Sequence, residues 1–213
     1  MAIKLGNNLD NDIFGTDTDD TIIAYGGKDY VDAGYGNDYI SGGDGDDVLW
    51  GGGGNDNIFG GNDNDQLFGS HGDDHLDGGA GNDLLYGGVG QDVMTGGPGA
   101  DKFVIGTGHF TNIPDSLPGD ADFITDFSQA QGDKIDVSGI DANELLAGNQ
   151  SFSFIGDDAF TGVAGQLRFE FVNMKPGYTD YTKILGDMDG DGVADVQINV
   201  AGWINFQASD FVL

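Results

Sequence analysis

Apolar residues return at a fixed interval of nine positions through the first half of the chain. Written from Gly6, the sequence divides without a gap into eleven nine-residue units that end at Val104. The eighth position of every unit is apolar, and its occupants are Ile13, Ile22, Val31, Ile40, Leu49, Ile58, Leu67, Leu76, Leu85, Met94 and Phe103. A strict period of this kind is the signature of a solenoid, in which each repeat packs on its neighbours.

Each unit predicts a short strand followed by a turn. Positions seven to nine form the strand, with the eighth side chain inward and its two neighbours outward. The other six positions form a tight turn rich in glycine, which reaches positive φ without a steric cost. Two units then close one flattened turn of a right-handed coil, and units n and n+2 pair as parallel strands on the same side.

Acidic residues follow the same phase. The sixth position is Asn11 in the first unit and aspartate in the next ten, namely Asp20, Asp29, Asp38, Asp47, Asp56, Asp65, Asp74, Asp83, Asp92 and Asp101. The fourth position is glycine in most units, at Gly27, Gly36, Gly45, Gly54, Gly72, Gly81, Gly90 and Gly99. Carboxylates and converging turn carbonyls are hard oxygen ligands that suit Ca²⁺.

The period stops after Val104, and the second half reads differently. Alternating polar and apolar residues predict strands in segments that begin at Asp122, Asp133, Gln166 and Ala194. One short helix is predicted around Asp141–Ala147. The chain therefore divides into a cap with a degenerate first repeat (1–14), the repeat region (15–104) and a β-rich C-terminal cap (105–213).

Composition excludes several classes of protein. The 37 acidic against 7 basic residues give a formal charge of −30, which is the wrong sign for a nucleic-acid binder. The absence of cysteine excludes disulfides and thiolate zinc sites. No apolar run is long enough for a transmembrane segment, and the N-terminus lacks the apolar core of a cleaved signal peptide. The 14 Phe, 7 Tyr and 2 Trp favour a folded chain over a disordered one.

Charge arithmetic sets the expected number of ions. Residues 6–104 hold 20 Asp, no Glu and 2 Lys, a net charge of −18. If each Ca²⁺ lies between two stacked turns, the pairs of competent turns predict roughly seven to nine ions. A merely solubilising role for the acidic residues would explain neither the phase nor the avoidance of glutamate.

The unit itself matches a known pattern. Segments such as GGDGDDVLW (from Gly42) and GGAGNDLLY (from Gly78) resemble the GGxGxDxUx nonapeptide of repeats-in-toxin (RTX) proteins. The resemblance implies an all-β, right-handed parallel β-roll that is stacked on calcium. Asn11 and Asp63 depart from the pattern, and the second and third units are irregular, which predicts weak sites or a cap in the first turns.

The second half resembles the C-terminal region of serralysin-type metalloproteases and alginate epimerase R-modules. The resemblance lies in GPGADKFV, DFITDF, GDKIDVSGI, DGDGVADVQINVAG and the terminal DFVL. It implies a cap on the roll and an uncleaved C-terminal signal. The expected partner is the type I secretion apparatus, and the expected location is outside a Gram-negative bacterium.

A separate acidic loop spans Asp187–Asp195. Its carboxylates Asp187, Asp189, Asp191 and Asp195 stand at positions one, three, five and nine of an EF-hand-like loop. The closing position holds Ile198 instead of glutamate, and no helical pattern flanks the loop. The sequence leaves two interpretations open, an acidic β-turn and a calcium site.

Catalytic motifs are absent from the sequence. The histidines are His71, His75 and His109, and they form no HExxH motif. Neither a GxSxG nor a GxxxxGK motif occurs. We therefore expect a non-enzymatic, secreted calcium-binding protein. The alternative is the C-terminal secretion or substrate-binding module of a larger enzyme, such as a serralysin-like protease or an alginate epimerase.

The outward positions of the odd-numbered units are unusually aromatic. Trp50, Phe68 and Tyr86 are eighteen residues apart, which predicts an aromatic row on adjacent strands. A large apolar face is normally covered or used. Either the C-terminal half packs on this row, or the row is a platform for an extracellular polysaccharide or a protein partner at a surface.

Overall fold

The chain folds as an all-β solenoid of about six turns. The computed structural model describes residues 1–106, 116–143, 146, 148–173 and 180–213. Twelve strands lie in the repeat half: β1 (Ile3–Asn7), β2 (Asp12–Thr16), β3 (Thr21–Gly26), β4 (Tyr30–Tyr35), β5 (Tyr39–Asp44), β6 (Val48–Gly53), β7 (Asn57–Asn62), β8 (Gln66–His71), β9 (His75–Ala80), β10 (Leu84–Val89), β11 (Val93–Thr95) and β12 (Lys102–Val104).

These strands alternate between two parallel sheets. The odd-numbered strands form one side in the order β1-β3-β5-β7-β9-β11, and the even-numbered strands form the other from β2 to β12. Trp50 is in register with Phe68, and Ile40 is in register with Ile58. The predicted pairing of units n and n+2 on the same side is therefore confirmed.

The strands are longer than the sequence predicts. They run from the seventh position of one unit to the third of the next, as in Val48–Gly53, instead of ending at the ninth. Glycines at the second position make this possible because they continue the ladder at positive φ, as Gly43 and Gly52 do at +119° and +104°. The turn is therefore confined to the fourth to sixth positions.

The core is the column of eighth-position side chains. From Ile22 to Phe103 every one of them is fully buried, and they stack between the two sheets. Only Ile13, in the first unit, is partly buried. Close packing of this column fixes which face of each strand turns inward, since a one-residue slip would expose every apolar side chain.

The C-terminal half extends both sheets. Its strands are β13 (Phe123–Ile124), β14 (Lys134–Asp136), β15 (Ser153–Phe154), β16 (Gln166–Val172), β17 (Tyr181–Asp187), β18 (Val196–Ala201) and β19 (Phe211–Val212), with a 3₁₀ turn at Ala208–Asp210. β13 joins β11, and β14 joins β12, so each roll sheet continues into the cap. The segments β16, β17 and β18 then form an antiparallel meander.

The sequence-based elements of this half are largely confirmed. All four predicted strand segments contain a strand, although Phe123–Ile124 is only two residues long. The strand Tyr181–Asp187 was not predicted. Of the proposed helix, residues 141–143 are not helical, and 144, 145 and 147 lie outside the described residues. Within the described ranges, no helix is long and apolar enough to cross a membrane. The domain boundaries at 14/15 and 104/105 stay a prediction.

Candidate metal centre

The ten sixth-position aspartates, from Asp20 to Asp101, form what we call the aspartate ladder. All ten are buried, with exposed fractions of 3% or less. They stand in two columns at a spacing of eighteen residues, one column beside each sheet. In each column, the backbone N–H of one aspartate donates to the Oδ1 of the aspartate one layer further along. Examples are Asp38 to Asp56 at 2.7 Å and Asp47 to Asp65 at 2.8 Å.

The glycine at the first position of the fifth to eleventh units makes room for the carboxylate. The Asp56 Oδ2 lies over Gly51, where a Cβ would overlap it, and Asp65 Oδ2 lies over Gly60 in the same way. Each aspartate side chain is thus folded back over its own turn. The phase of glycine and aspartate in the sequence is therefore a steric requirement as well as a chemical one.

The second carboxylate oxygen of most ladder residues has no hydrogen-bond partner. This holds for the buried Oδ2 atoms of Asp29, Asp38, Asp47, Asp56, Asp65, Asp74, Asp83 and Asp101. A buried anionic oxygen without a partner is costly unless a cation compensates it. The ion pairs Lys28–Asp46, Lys102–Asp136 and Arg168–Glu170 do not involve these atoms.

Burial raises the pKa of the ladder carboxyls, and neighbouring carboxylates of the same column add to the effect. The pKa rises to about 6 for Asp38, Asp47 and Asp101, to about 7 for Asp56 and Asp74, and to about 8 for Asp65. Burial also raises the pKa of Asp29 and Asp83. At neutral pH, either bound protons or bound metal ions would therefore stabilise the carboxylates of the aspartate ladder.

The predicted glycine ligands stack in columns of their own. Seven of the eight have φ between +110° and +152°, and these are Gly27, Gly36, Gly45, Gly54, Gly72, Gly81 and Gly90. The exception is Gly99, but a Cβ there would overlap the Gly81 carbonyl oxygen. Their backbones are packed directly on the turn one layer away. Asp63 also has a positive φ, at 77°, so it keeps the turn without glycine.

The aspartate of the second unit is satisfied by hydrogen bonds instead. Both Asp20 carboxylate oxygens have donors: Oδ1 accepts from the Ala2 N–H, and Oδ2 accepts from the Thr16 N–H at 2.8 Å and its hydroxyl at 2.7 Å. Burial raises the pKa of Asp20, but these hydrogen bonds outweigh it, and the net shift is downward. The irregular second unit thus satisfies its own aspartate, as expected for a cap.

Two further aspartates join the ladder, and the sequence analysis missed them. The Asp122 Oδ1 accepts from the Asp92 N–H at 3.1 Å, and the Asp133 Oδ1 accepts from the Asp101 N–H at 3.1 Å. Both are at most 2% exposed. The available signal was an aspartate two residues before an apolar strand residue, Ile124 or Ile135, which repeats the spacing of the nonapeptide.

The Asp187–Asp195 loop is the turn of the β17–β18 hairpin, so strands flank it. Carboxylate oxygens of Asp187, Asp189 and Asp195 lie within 4.8 Å of one another, whereas Asp191 is outside this group. Backbone N–H groups of Gly190 and Gly192 donate to Asp187. Ile198 is a buried strand residue and supplies no ligand. Calcium binding by this loop stays a prediction.

The histidines do not form a metal site within the described residues. His71 ends β8 in one sheet, and His75 begins β9 in the other. Their spacing of four residues therefore does not place them on one face. His109 lies outside the described residues.

Comparison with known proteins identifies the repeats. A model of the RTX calcium-binding nonapeptide repeat (four copies) matches residues 5–39, 32–67 and 68–103. No curated protein matches the sequence significantly.

Similar solved structures include two subunits of the Azotobacter vinelandii mannuronan C5-epimerase and a Serratia marcescens lipase. The AlgE6R3 subunit is 21% identical, with 97% of this chain and 80% of that chain covered and a TM-score of 0.35. The AlgE6R2 subunit is 21% identical, with 98% and 91% covered and a TM-score of 0.38. The extracellular lipase LipA is 14% identical, with 99% and 40% covered and a TM-score of 0.39, so this chain spans less than half of the lipase.

Proposed function

We propose that this chain, whose residues 5–103 match the RTX calcium-binding nonapeptide repeat, is a non-enzymatic protein that folds on Ca²⁺ after export. The type I secretion apparatus would pass the unfolded chain to the outside of a Gram-negative cell. Extracellular calcium modules typically bind Ca²⁺ with dissociation constants of about 10⁻⁴–10⁻³ M. The chain would therefore be unfolded before export and folded after it.

The observation that carries this proposal is the row of partnerless carboxylate oxygens in the aspartate ladder. Eight buried Oδ2 atoms face turns in which no described basic side chain pairs with them. The donor set consists of aspartate oxygens and backbone carbonyls of glycine-rich turns, and it fits Ca²⁺, which takes six to eight oxygens. When bound, calcium would supply the positive charge that holds neighbouring turns together.

The proposed ligands are the ladder carboxylates and the fourth-position turn carbonyls, with roughly seven to nine ions, each shared by two turns. The structure supports two adjustments to this set. The Asp20 carboxylate is already hydrogen-bonded and needs no ion. Asp122 and Asp133 add one carboxylate to the end of each column.

The end of the chain supports export in an unfolded state. The predicted signal residues Asp210 and Phe211 are buried, and β19 pairs with β14 at the end of the eight-stranded sheet. Asp210 accepts hydrogen bonds from the Gln129 side chain and the Gln207 N–H. A secretion apparatus would therefore read these residues only before the cap forms.

A calcium titration tests the proposal. Circular dichroism in EGTA is expected to show little β-structure, and added Ca²⁺ is expected to restore it cooperatively because each site needs two turns. A chain that is already β-rich in EGTA, or a shallow titration, would contradict the proposal.

Ion counting gives a matched control. Asp65→Asn is expected to lower the number of bound ions because its carboxylate contacts two layers. Asp77→Asn changes an outward residue at the ninth position and is expected to leave the count unchanged. An equal loss of bound ions in both variants would show that the aspartate ladder is not the binding site.

A second candidate function, as the module of a larger enzyme, is favoured by the open end of the roll. β1 and β2 are edge strands, and Ile3, Leu5 and Phe14 are 70%, 59% and 59% exposed. Exposed edges with apolar side chains favour pairing with another segment. An in-frame coding sequence upstream of Met1 would support this candidate, and an in-frame stop codon directly upstream would contradict it.

A further inference from the structure

A pocket of about 600 Å³ lies on the outer face of the eight-stranded sheet. Its lining begins at Asp17, directly after β2, and ends at Gly88 on β10. Neighbouring strands are about 4.8 Å apart, so these five layers of the roll span about 19 Å. The volume and the length of the pocket suit a small, elongated ligand.

One side of the pocket is a row of ninth-position side chains. Asp32 on β4 is followed in register by Trp50, Phe68 and Tyr86, and these three form the aromatic row. The rings of Trp50 and Phe68 lie face to face, with their centroids 4.0 Å apart and their planes 9° from parallel. Because these faces contact each other across neighbouring strands, the two rings turn C–H edges toward the pocket. Such edges pack against an aliphatic chain through dispersion contacts, whereas a flat ligand ring would need a ring face.

The floor of the pocket consists mainly of backbone. Gly34, Gly52 and Gly88 hold second positions at φ near +100°, and Ser70 holds the equivalent place on β8. These residues belong to paired strands, so their backbone groups are mostly engaged within the sheet. An extended peptide would bring an amide N–H and a carbonyl for each residue and would find few partners here. An aliphatic chain has no such groups to satisfy.

Both carboxylates of the lining stand at one end of the pocket. Asp17 and Asp32 lie at the β2–β4 end, and neither lysine nor arginine lines the pocket. The three ion pairs among the described residues involve neither carboxylate. His71 lies two strands further along, on β8, and is counted as neutral at pH 7. An ammonium group at the acidic end would donate charge-assisted hydrogen bonds, whereas an anionic ligand would be repelled.

We propose that this pocket binds a primary alkylammonium ligand, with its ammonium group at Asp17 and Asp32 and its aliphatic chain along the aromatic row. The acidic end selects the cation, and the ring edges select the chain. The proposal rests on the proposed function, because the lining comes together only when calcium holds the turns in register. It assigns to the folded, calcium-loaded chain a ligand that the unfolded chain cannot hold.

Four probes separate the charge of the ligand from its chain. Octylamine carries both features, octanol has the chain without a charge, octanoate has the opposite charge, and methylamine has the ammonium group without the chain. Calorimetry at pH 7 in saturating Ca²⁺ is expected to show that octylamine binds at least about tenfold more tightly than each of the others. Octanol loses two ion pairs, octanoate meets repulsion, and methylamine loses the buried CH₂ groups.

Trp50 reports where the chain of the ligand lies. In Trp203→Phe protein, Trp50 is the remaining tryptophan. Octylamine is expected to shift its emission to shorter wavelength, because the aliphatic chain replaces water beside the ring. Methylamine is expected to leave the emission unchanged.

Asp32→Asn and Asp77→Asn form a matched pair of variants. Both residues are half-buried at ninth positions, but Asp77 lies on the opposite sheet, outside the pocket. Asp32→Asn is expected to weaken octylamine binding by about fivefold, as for the loss of a partly exposed ion pair, and to leave octanol binding unchanged. Asp77→Asn is expected to change octylamine binding by less than about twofold, because salt screens a charge at that distance.

The outcomes separate the two proposals. Octanol or octanoate binding as tightly as octylamine, binding of tetralysine without binding of octylamine, or equal losses in the two variants would overturn the pocket as an alkylammonium site. So would the absence of octylamine binding by protein that circular dichroism shows to be folded on calcium. Failure of calcium to induce β-structure would instead contradict the proposed function, and the pocket proposal with it.

Discussion

The raised pKa values of the aspartate ladder predict how the metal-free roll responds to pH. A carboxyl whose pKa is higher in the folded state stabilises that state when it is protonated. This stabilisation is complete below the ordinary pKa near 4 and is lost as pH rises through the folded-state value. For Asp56, Asp65 and Asp74, with pKa values of about 7, 8 and 7, the loss extends from about pH 4 to pH 8.

The magnitude follows from the number of protons. At pH 6 these three carboxyls hold protons in the folded state and release them on unfolding, and the partly protonated Asp38, Asp47 and Asp101, with a pKa of about 6, add to this minimum. Three protons correspond to about 4 kcal/mol of unfolding free energy per pH unit, at about 1.4 kcal/mol for each. With a discount of about half for solvent screening, we expect at least about 2 kcal/mol per pH unit.

Urea unfolding of metal-depleted protein measures this slope. Circular dichroism is followed between pH 5 and pH 8, above the isoelectric point near 4.1, with sucrose added so that the metal-free folded state is populated. The unfolding free energy is expected to fall as pH rises. In saturating Ca²⁺ the direction is expected to reverse, because bound calcium needs ionised carboxylates.

Two variants localise the effect. Asp65→Asn removes one buried carboxyl and is expected to reduce the slope by roughly a quarter, because Asp38, Asp47 and Asp101 also release protons in this range. Asp12→Asn, at an exposed position of the first unit, is expected to preserve the slope. A metal-free protein whose stability is flat or rises between pH 5 and pH 8 would refute the reasoning.

Three further predictions concern the packing of the roll. Gly45→Ala places a Cβ on the Gly27 carbonyl oxygen, and the residue has a φ of +118°. The unfolding free energy of calcium-loaded protein, measured with urea, is therefore expected to fall by at least about 2 kcal/mol. Gly119→Ala is the control and should change it very little, because a Cβ at Gly119 would meet open space. Leu67→Ala opens a cavity at a fully buried position and should cost about 3 kcal/mol in the same assay; a loss below about 1 kcal/mol would contradict a close-packed column. Asp133→Asn is expected to lower the calcium stoichiometry, and an unchanged count would exclude Asp133 as a ligand.

Much of the candidate site could be predicted because its geometry is local. Within one nine-residue unit, glycine at the first position leaves room for the aspartate at the sixth. Glycine at the fourth position lets the turn pack directly on the equivalent turn one layer away. The burial of Asp56, the position of Gly51 beneath it and the inward direction of Ile58 all follow from the period. The strand length did not follow, because glycine at positive φ can either end a strand or continue it.

The extension of the ladder into the cap illustrates what local pattern misses. Asp122 and Asp133 pair with Asp92 and Asp101 across 30 and 32 residues, in place of the regular 18. A period search cannot find partners at irregular separations. The chain between the two aspartates of each pair must first form its own turns. Packing of Ile124 and Ile135 on the core column then fixes where the chain rejoins the roll.

The sequence by itself determined the period, the side of each strand that faces inward and the glycine-rich turn with aspartate at its sixth position. These features repeat within nine residues, so backbone sterics and alternation of side chains are enough to specify them. Only the tertiary structure decided that most of these carboxylates accept a hydrogen bond from the neighbouring layer and keep the other oxygen without a partner, as Asp56 and Asp65 do. The pocket that Tyr35, Trp50 and Tyr86 line was likewise decided by stacking, because its walls come from residues that meet only when separate turns are brought into register.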